Sequence, residues 1–138
     1  MKDKALITFL VVEDDEIDIM NMERAFRKLG ILNPLIIARN GQEALQKLES
    51  GDLPVQLAMI VDLNMPMYSG HDLVGKIRAT GKWQHMPVFV LTTSHMASDI
   101  KEAREHCVNG YFLKEMSQEA FTRTIRTIVD FVNQAVWR

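Results

Sequence analysis

The sequence predicts an α/β domain of three layers, with helices on both faces of a parallel sheet. Short apolar runs without polar alternation occur five times, and each is followed by a stretch whose apolar residues recur at helical spacing. Such runs are typical of strands covered on both faces. Strict alternation of strand and helix favours parallel strands joined by right-handed crossovers, so helices pack on both sides of the sheet.

The boundaries of the elements follow from caps and turn residues. The strands are expected at residues 5–12, 35–38, 56–61, 87–91 and 110–113. The helices are expected at residues 16–28, 41–50, 71–79, 97–107 and from 117 to the chain end. Asp15 is expected to cap the first helix, and Asn40 with Glu43 predicts a capping box at the second. Gly30 and Gly51 follow these helices, as C-terminal glycines commonly do.

Length and composition are those of one globular domain. The 138 residues, 47% hydrophobic and 25% charged, suffice for one core and leave no room for a second. We therefore expect a single domain over residues 1–138 without an output domain. A net charge of −2 without a basic face argues against nucleic acid, and the apolar runs are too short to cross a membrane. Cys107, the single cysteine, is interpreted as inert packing in a cytoplasmic protein.

Polar residues end the predicted strands at one edge of the sheet. Glu13 and Asp14 follow the first strand, Asp62 the third, Thr92 the fourth and Lys114 the fifth. Carboxyl ends of parallel strands meet at one edge, where ligands bind. Three carboxylates that lie close together resist ionisation unless a cation compensates their charge. The all-oxygen set predicts a site for Mg²⁺ or Mn²⁺.

Each of these residues also has an ordinary interpretation. Capping or solvation explains Glu13 or Asp14 taken alone about as well as metal binding does. Thr92 alone is a common strand-end hydroxyl, and Lys114 alone is a common surface lysine. Asp62 differs, because it interrupts the end of an apolar strand and should lie at a partly desolvated edge.

Four motifs and one glycine occur in a specific order along almost the whole chain. They are Val12-Glu13-Asp14-Asp15, Asp62-Leu63-Asn64-Met65-Pro66, Gly70, Leu91-Thr92-Thr93 and Tyr111-Phe112-Leu113-Lys114. Each motif alone is weak, but the ordered set is far more specific. Together they resemble the response-regulator receiver family, the CheY-like domains. That resemblance implies a flavodoxin-like doubly wound sheet with five strands in the order 2-1-3-4-5 and five helices.

The resemblance also implies chemistry at the acidic cluster. Asp62 looks like the phosphoryl acceptor of a two-component signalling switch. Asp14, the Asp62 side chain and the Asn64 backbone carbonyl look like direct Mg²⁺ ligands, with Glu13 acting through water. We do not expect an enzyme, since a receiver catalyses only its own phosphorylation and dephosphorylation.

Across the predicted pocket, the resemblance implies the parts of a switch. Thr92 and Lys114 look like the residues that contact the phosphoryl group, although Thr93 leaves a one-residue ambiguity. Tyr111 looks like the aromatic that follows Thr92 when the face of helix 4, strand 5 and helix 5 changes, with plain packing as its alternative. Glu115 stands where the family usually has proline, so a trans Lys114–Glu115 peptide and a shifted turn into helix 5 are expected.

The resemblance implies protein partners. The donor would be a sensor histidine kinase or a phosphotransfer protein, and the response would pass to a downstream protein target. A kinase of phytochrome type is implied, because three segments are similar to single-domain regulators that partner bacterial phytochrome kinases. These segments are the helix at 16–28, Lys28-Leu29-Gly30-Ile31 and Leu91-Thr92-Thr93-Ser94. Trp137 either covers an end of the core or lies in a homodimer contact.

Three other functions compete with the phospho-acceptor switch. A receiver-like interaction module that is never phosphorylated remains the alternative, although such modules normally lack an acidic, threonine or lysine position that this chain keeps. A phosphohydrolase of the haloacid-dehalogenase type needs a second aspartate where this chain has Asn64. A flavodoxin would bind phosphate after the first strand, where the acidic residues 13–16 repel it.

Overall fold

A computed structural model describes residues 6–115 and 117–134 of the chain. Its elements are β1 Thr8–Val12, α1 Glu16–Lys28, β2 Leu35–Ala38, α2 Gly41–Glu49, β3 Leu57–Val61, α3 Gly70–Ala79, β4 Val88–Thr92, α4 Ala97–Glu105, β5 Gly110–Leu113 and α5 Gln118–Gln134. The strand order is β2-β1-β3-β4-β5, and every neighbouring pair is parallel. This architecture confirms the predicted fold class.

The sheet divides the core into two layers of apolar side chains. Leu10 and Val12 point into the layer formed with α2, α3 and α4, whereas Phe9 and Val11 point into the layer formed with α1 and α5. Every residue of β1, β3 and β4 is buried, because helices cover both faces of these central strands. The unbroken apolar runs of the sequence follow from this double coverage.

Side-chain caps fix where the first two helices begin. Asp15 caps α1 by accepting hydrogen bonds from two backbone N–H groups of its first turn. Asn40 Oδ1 accepts from the Glu43 N–H at 2.8 Å, as a capping residue should. The Glu43 carboxylate, however, accepts from the Arg39 N–H at 2.9 Å, one residue before the cap. The predicted capping box is therefore half correct, since its return bond reaches Arg39.

The end of α4 corrects one prediction. The helix ends at Glu105, two residues earlier than expected. Cys107 lies in the turn that follows, with a left-handed φ of 56°, and its side chain is exposed. Its interpretation as inert packing was wrong, because this turn directs the thiol to solvent.

The last helix carries a continuous apolar face. Phe121, Ile125, Ile128 and Val132 are buried along α5, at the predicted spacing. Trp137, at the end of the chain, lies outside the described residues, so both of its interpretations remain predictions.

The loop before α5 agrees with one expectation. The Lys114–Glu115 peptide is trans, since the described part of the chain contains no cis peptide bond. Met116 lies outside the described residues, so the shifted turn remains a prediction. No helix within residues 6–115 and 117–134 is both long enough and apolar enough for a bilayer span.

Gly70 begins α3 directly against the end of β3. Its N–H donates to the Leu63 carbonyl at 3.2 Å. A Cβ at this position would overlap the Asp62 carbonyl oxygen and press on the backbone of Leu63. The absence of a side chain at residue 70 therefore allows α3 to start beside the strand end that carries Asp62.

Replacing Gly70→Ala is expected to lower the free energy of unfolding by about 1–3 kcal/mol, because the new methyl group displaces rigid backbone. Chemical denaturation measures this change. Gly81→Ala is the matched control, since a Cβ there meets nothing within 4 Å, and its effect should stay within about 0.5 kcal/mol. Equal stability of both variants would contradict the close approach at Gly70.

Candidate functional site

Backbone hydrogen bonds continue past the ends of three strands and fix the positions of Glu13, Asp62 and Lys114. The Glu13 N–H donates to the Ala38 carbonyl at 2.9 Å, and the Asp62 N–H donates to the Val12 carbonyl at 3.1 Å. The Lys114 N–H donates to the Thr92 carbonyl at 2.7 Å. Since these bonds extend the parallel ladders by one step, the side chains of Glu13, Asp62 and Lys114 reach one edge of the sheet.

Three carboxylates converge at this edge. Glu13, Asp14 and Asp62 each offer an oxygen, and these oxygens all lie within 4.8 Å of one another. The side chains of Glu13 and Asp62 are each only 7% exposed, whereas Asp14 is exposed to solvent. The three residues form one acidic cluster, open on the Asp14 side. Oxygen ligands with room for water suit a hard divalent cation such as Mg²⁺ or Mn²⁺.

Lys114 supplies the positive charge of the site. Its Nζ lies 2.8 Å from Glu13 Oε1, 2.8 Å from Asp18 Oδ2 and 3.3 Å from Asp62 Oδ2. The lysine side chain is only 10% exposed. An ammonium group has three N–H donors, so these carboxylates can satisfy all of them.

Asp18 was missed by the sequence analysis. It lies in the first turn of α1, where acidic residues ordinarily interact with the helix dipole. In the structure its carboxylate instead pairs with Lys114, 96 residues away. No sequence signal pointed to this contact, because it depends on how α1 lies against the sheet.

Burial and ion pairing shift the pKa values of Glu13 and Lys114. Burial raises the pKa of the Glu13 carboxyl to about 7, while the nearby Lys114 ammonium opposes the rise. Burial also disfavours the charged Lys114, but hydrogen bonds with Asp18 and Glu13 outweigh it and raise the lysine pKa. The ammonium therefore stays charged at neutral pH, whereas Glu13 changes its charge near neutrality.

Thr92, at the end of β4, is joined to the acidic cluster through Asn64. Its side chain is fully buried, and its Oγ1 lies 3.5 Å from Asn64 Nδ2. The backbone N–H of Asn64 donates to Asp62 Oδ1 at 3.3 Å, so Asn64 links the acid to the threonine. The neighbouring Thr93 is exposed. The geometry thus places Thr92, and not Thr93, at the site.

A hydrogen-bonded network extends from Thr92 towards β5. The Ser94 N–H donates to Thr92 Oγ1 at 3.3 Å, and the Tyr111 hydroxyl donates to the Ser94 carbonyl at 2.8 Å. The Ser94 hydroxyl donates to Asp99, and His71 Nε2 lies 3.0 Å from the same carboxylate. The bonds from Ser94 and His71 lower the pKa of the Asp99 carboxyl. Tyr111 therefore does more than pack, and His71 links α3 to α4.

The sequence matches the response regulator receiver domain over residues 9–126. The chain belongs to this family. The matched span of the receiver domain contains the acidic cluster, Thr92, Tyr111 and Lys114.

Individual relatives resemble the receiver domain along most of its length. It is 33% identical to the probable methanogenesis regulatory protein FilR2 of Methanothrix harundinacea, covering 88% of this chain and 81% of FilR2. It is 29% identical to the response regulator Rcp1 of Synechocystis, covering 88% of this chain and 86% of Rcp1.

Solved structures of response regulators share the fold of this chain. The Mn²⁺-bound form of response regulator Rcp1 matches with a TM-score of 0.83 at 25% identity, covering 96% of this chain and 99% of that one. The bacteriophytochrome response regulator AtBRR matches with a TM-score of 0.74 at 26% identity, covering 98% and 99% of the two chains. The receiver fold is thus shared over nearly the full length.

The raised pKa of Glu13 predicts a pH dependence of stability in the absence of divalent cations. Folded Glu13 holds its proton more tightly than the unfolded chain does, so its contribution is fully present below pH 4.5 and lost as the pH rises to about 7. The loss amounts to at most about 3 kcal/mol.

Chemical denaturation in a chelator, from pH 4.5 to 7.5, should therefore show a decline that Glu13→Gln reduces. Glu49→Gln, at an exposed position of α2, should follow the unmodified protein. An undiminished decline in Glu13→Gln would contradict the assignment.

Proposed function

We propose that this receiver domain is a phospho-acceptor switch of two-component signalling, and that Asp62 is the acceptor. The observation that carries the proposal is the placement of Asp62, which is nearly buried, lies within 4.8 Å of two other carboxylates and faces an ammonium at 3.3 Å. A carboxylate oxygen of Asp62 attacks the phosphorus of the donor and forms a new P–O bond. The bond between phosphorus and the donor breaks, and its electron pair leaves with the donor.

The acidic cluster would hold Mg²⁺ or Mn²⁺ during this reaction. Asp14, the Asp62 side chain and the Asn64 carbonyl would be direct ligands, and Glu13 would act through water. The donor set fits such a cation because it is all oxygen, partly buried and open at Asp14. When bound, the cation supplies positive charge that offsets the negative charge of the phosphoryl oxygens. The Mn²⁺-bound form of Rcp1 supports this part of the proposal.

Lys114 and Thr92 would complete the phosphoryl site. The Lys114 ammonium, 3.3 Å from Asp62 Oδ2, can donate to a phosphoryl oxygen after a small movement. The buried Thr92 hydroxyl can turn towards the same group. Water later hydrolyses the aspartyl phosphate and restores Asp62. The domain would thus catalyse only its own phosphorylation and dephosphorylation, and would not act as an enzyme on other substrates.

The network beyond Thr92 would carry the signal. If Thr92 turns to the phosphoryl group, its acceptance of the Ser94 N–H is disturbed, and Ser94 also holds the Tyr111 hydroxyl and Asp99. The segment that joins β4 to α4 would then rearrange together with Tyr111 on β5. A change at Asp62 would in this way alter the face formed by α4, β5 and α5, where a downstream protein would bind.

A sensor histidine kinase or a phosphotransfer protein in the cytoplasm would be the phosphoryl donor. AtBRR is a bacteriophytochrome response regulator, and this likeness favours a kinase of phytochrome type. An interaction module that is never phosphorylated is a weaker proposal, because Glu13, Asp14, Asp62, Thr92 and Lys114 are all present and brought together.

Incubation with acetyl phosphate and Mg²⁺ is expected to label the protein at Asp62, and Asp62→Asn should reduce labelling to background. Asp52→Asn is the control, since Asp52 lies in the exposed loop after α2 and should leave labelling unchanged. Mass spectrometry of intact protein measures the added phosphoryl group. Equal labelling of unmodified protein and Asp62→Asn, or no labelling of either, would refute the proposed function.

Tyr111→Phe is expected to retain labelling of Asp62 but to weaken the coupling to α4. Loss of its bond to the Ser94 carbonyl costs about 1 kcal/mol. Hydrogen exchange of residues 94–99 should be faster in the unphosphorylated variant and should change less on phosphorylation. Tyr68→Phe, whose ring lies against Gly41, is the control and should behave as the unmodified protein. Unaltered exchange in Tyr111→Phe would contradict this coupling.

A further inference from the structure

The partners of Lys114 fall into two groups. Glu13 and Asp62 belong to the acidic cluster whose oxygens lie within 4.8 Å of one another. Asp18 contacts the same ammonium at 2.8 Å but is not a member of that cluster. Among the described residues, Asp18 is therefore the one carboxylate contact of Lys114 that does not also belong to the acidic cluster.

A divalent cation and the Lys114 ammonium compete for the same acids. A cation in the acidic cluster attracts Glu13 and Asp62 and repels the ammonium, which lies within 3.3 Å of both. The repulsion is strong because both acids and the lysine are nearly buried, where screening by water is weak. The lysine stays at the site only if another anion holds it.

Asp18 is well placed to hold Lys114 when a cation is bound, because it lies in a helix turn that is fixed by a cap. It is on α1, whose first turn is fixed by the Asp15 cap, and the Asp18 backbone N–H itself donates to Asp15 Oδ1 at 3.1 Å. Its side chain is 30% exposed, so the carboxylate remains partly hydrated. The residue after Lys114 is Glu115, without the rigid ring of a proline, so the loop itself constrains the lysine less.

We infer that Asp18 is a positioning residue that keeps Lys114 beside Asp62 while a divalent cation occupies the acidic cluster. The inference rests on the proposed function, and it assigns to α1 a part in the phosphoryl site. Asp18 acts through Lys114 and does not bind the cation. It therefore allows two positive groups to share a small set of carboxylates.

The test is a double-mutant cycle on Mg²⁺ affinity, measured by titration calorimetry without any phosphoryl donor. Asp18→Asn should weaken Mg²⁺ binding about fivefold, because Lys114 then depends on Glu13 and Asp62 alone. In a Lys114→Met background, the same Asp18→Asn change should alter the affinity by less than about twofold. A fivefold effect that persists in that background would overturn the inference, since Asp18 would then act by its charge alone.

Glu16→Gln is the matched control. Glu16 is in the same turn of α1, is 63% exposed and pairs with Arg39 and not with Lys114. It should change the Mg²⁺ affinity by less than about twofold. An effect equal to that of Asp18→Asn would also overturn the inference.

Labelling by acetyl phosphate separates this inference from the proposed function. Asp18→Asn should label more slowly than the unmodified protein even at saturating Mg²⁺, because Lys114 then leaves Asp62 when the cation binds, whereas Glu16→Gln should label at the unmodified rate. Circular dichroism checks that Asp18→Asn is folded. If the unmodified protein fails to label while the calorimetric cycle behaves as expected, the proposed function is wrong but the role of Asp18 stands. If the unmodified protein labels normally and the double-mutant cycle shows no coupling between Asp18 and Lys114, the inference about Asp18 is wrong and the proposed function stands.

Discussion

The site depends on the contacts of one ammonium group, that of Lys114, with three carboxylates. Lys114 lies within 3.3 Å of Glu13, Asp18 and Asp62, and without it these three carboxylates would repel one another. Removing one partner of a buried ion pair is strongly destabilising, because it leaves an uncompensated charge. The strand ends of β1, β3 and β5 and the first turn of α1 are thus joined by a single side chain.

The same constraint makes the site responsive to charge. The pKa of Glu13 is raised to about 7 by burial, so the net charge of the cluster changes near neutral pH. Any cation, proton or phosphoryl group that enters must redistribute the contacts of Lys114. Thr92 is joined to Asp62 through Asn64 and to Tyr111 through Ser94, so a local change of charge has a path to the surface of β5.

The sequence allowed the fold and the acidic cluster to be predicted, because both depend on periodicity and on where strands end. Glu13, Asp14 and Asp62 meet simply because parallel strands place their carboxyl ends together. Asp18 could not be placed in this way, since its contact depends on how α1 lies against the sheet. The link between His71 and Asp99 depends on the packing of α3 against α4, and the exposure of Cys107 depends on a left-handed turn.

The most decisive measurement is a crystal structure of the protein with Mg²⁺. It should show one cation about 2.0–2.1 Å from carboxylate oxygens of Asp14 and Asp62. The Lys114 ammonium should remain within hydrogen-bonding distance of Asp18. A cation bound elsewhere, or a Lys114 side chain turned out to solvent when the cation is present, would show that Asp18 and the acidic cluster do not have these roles.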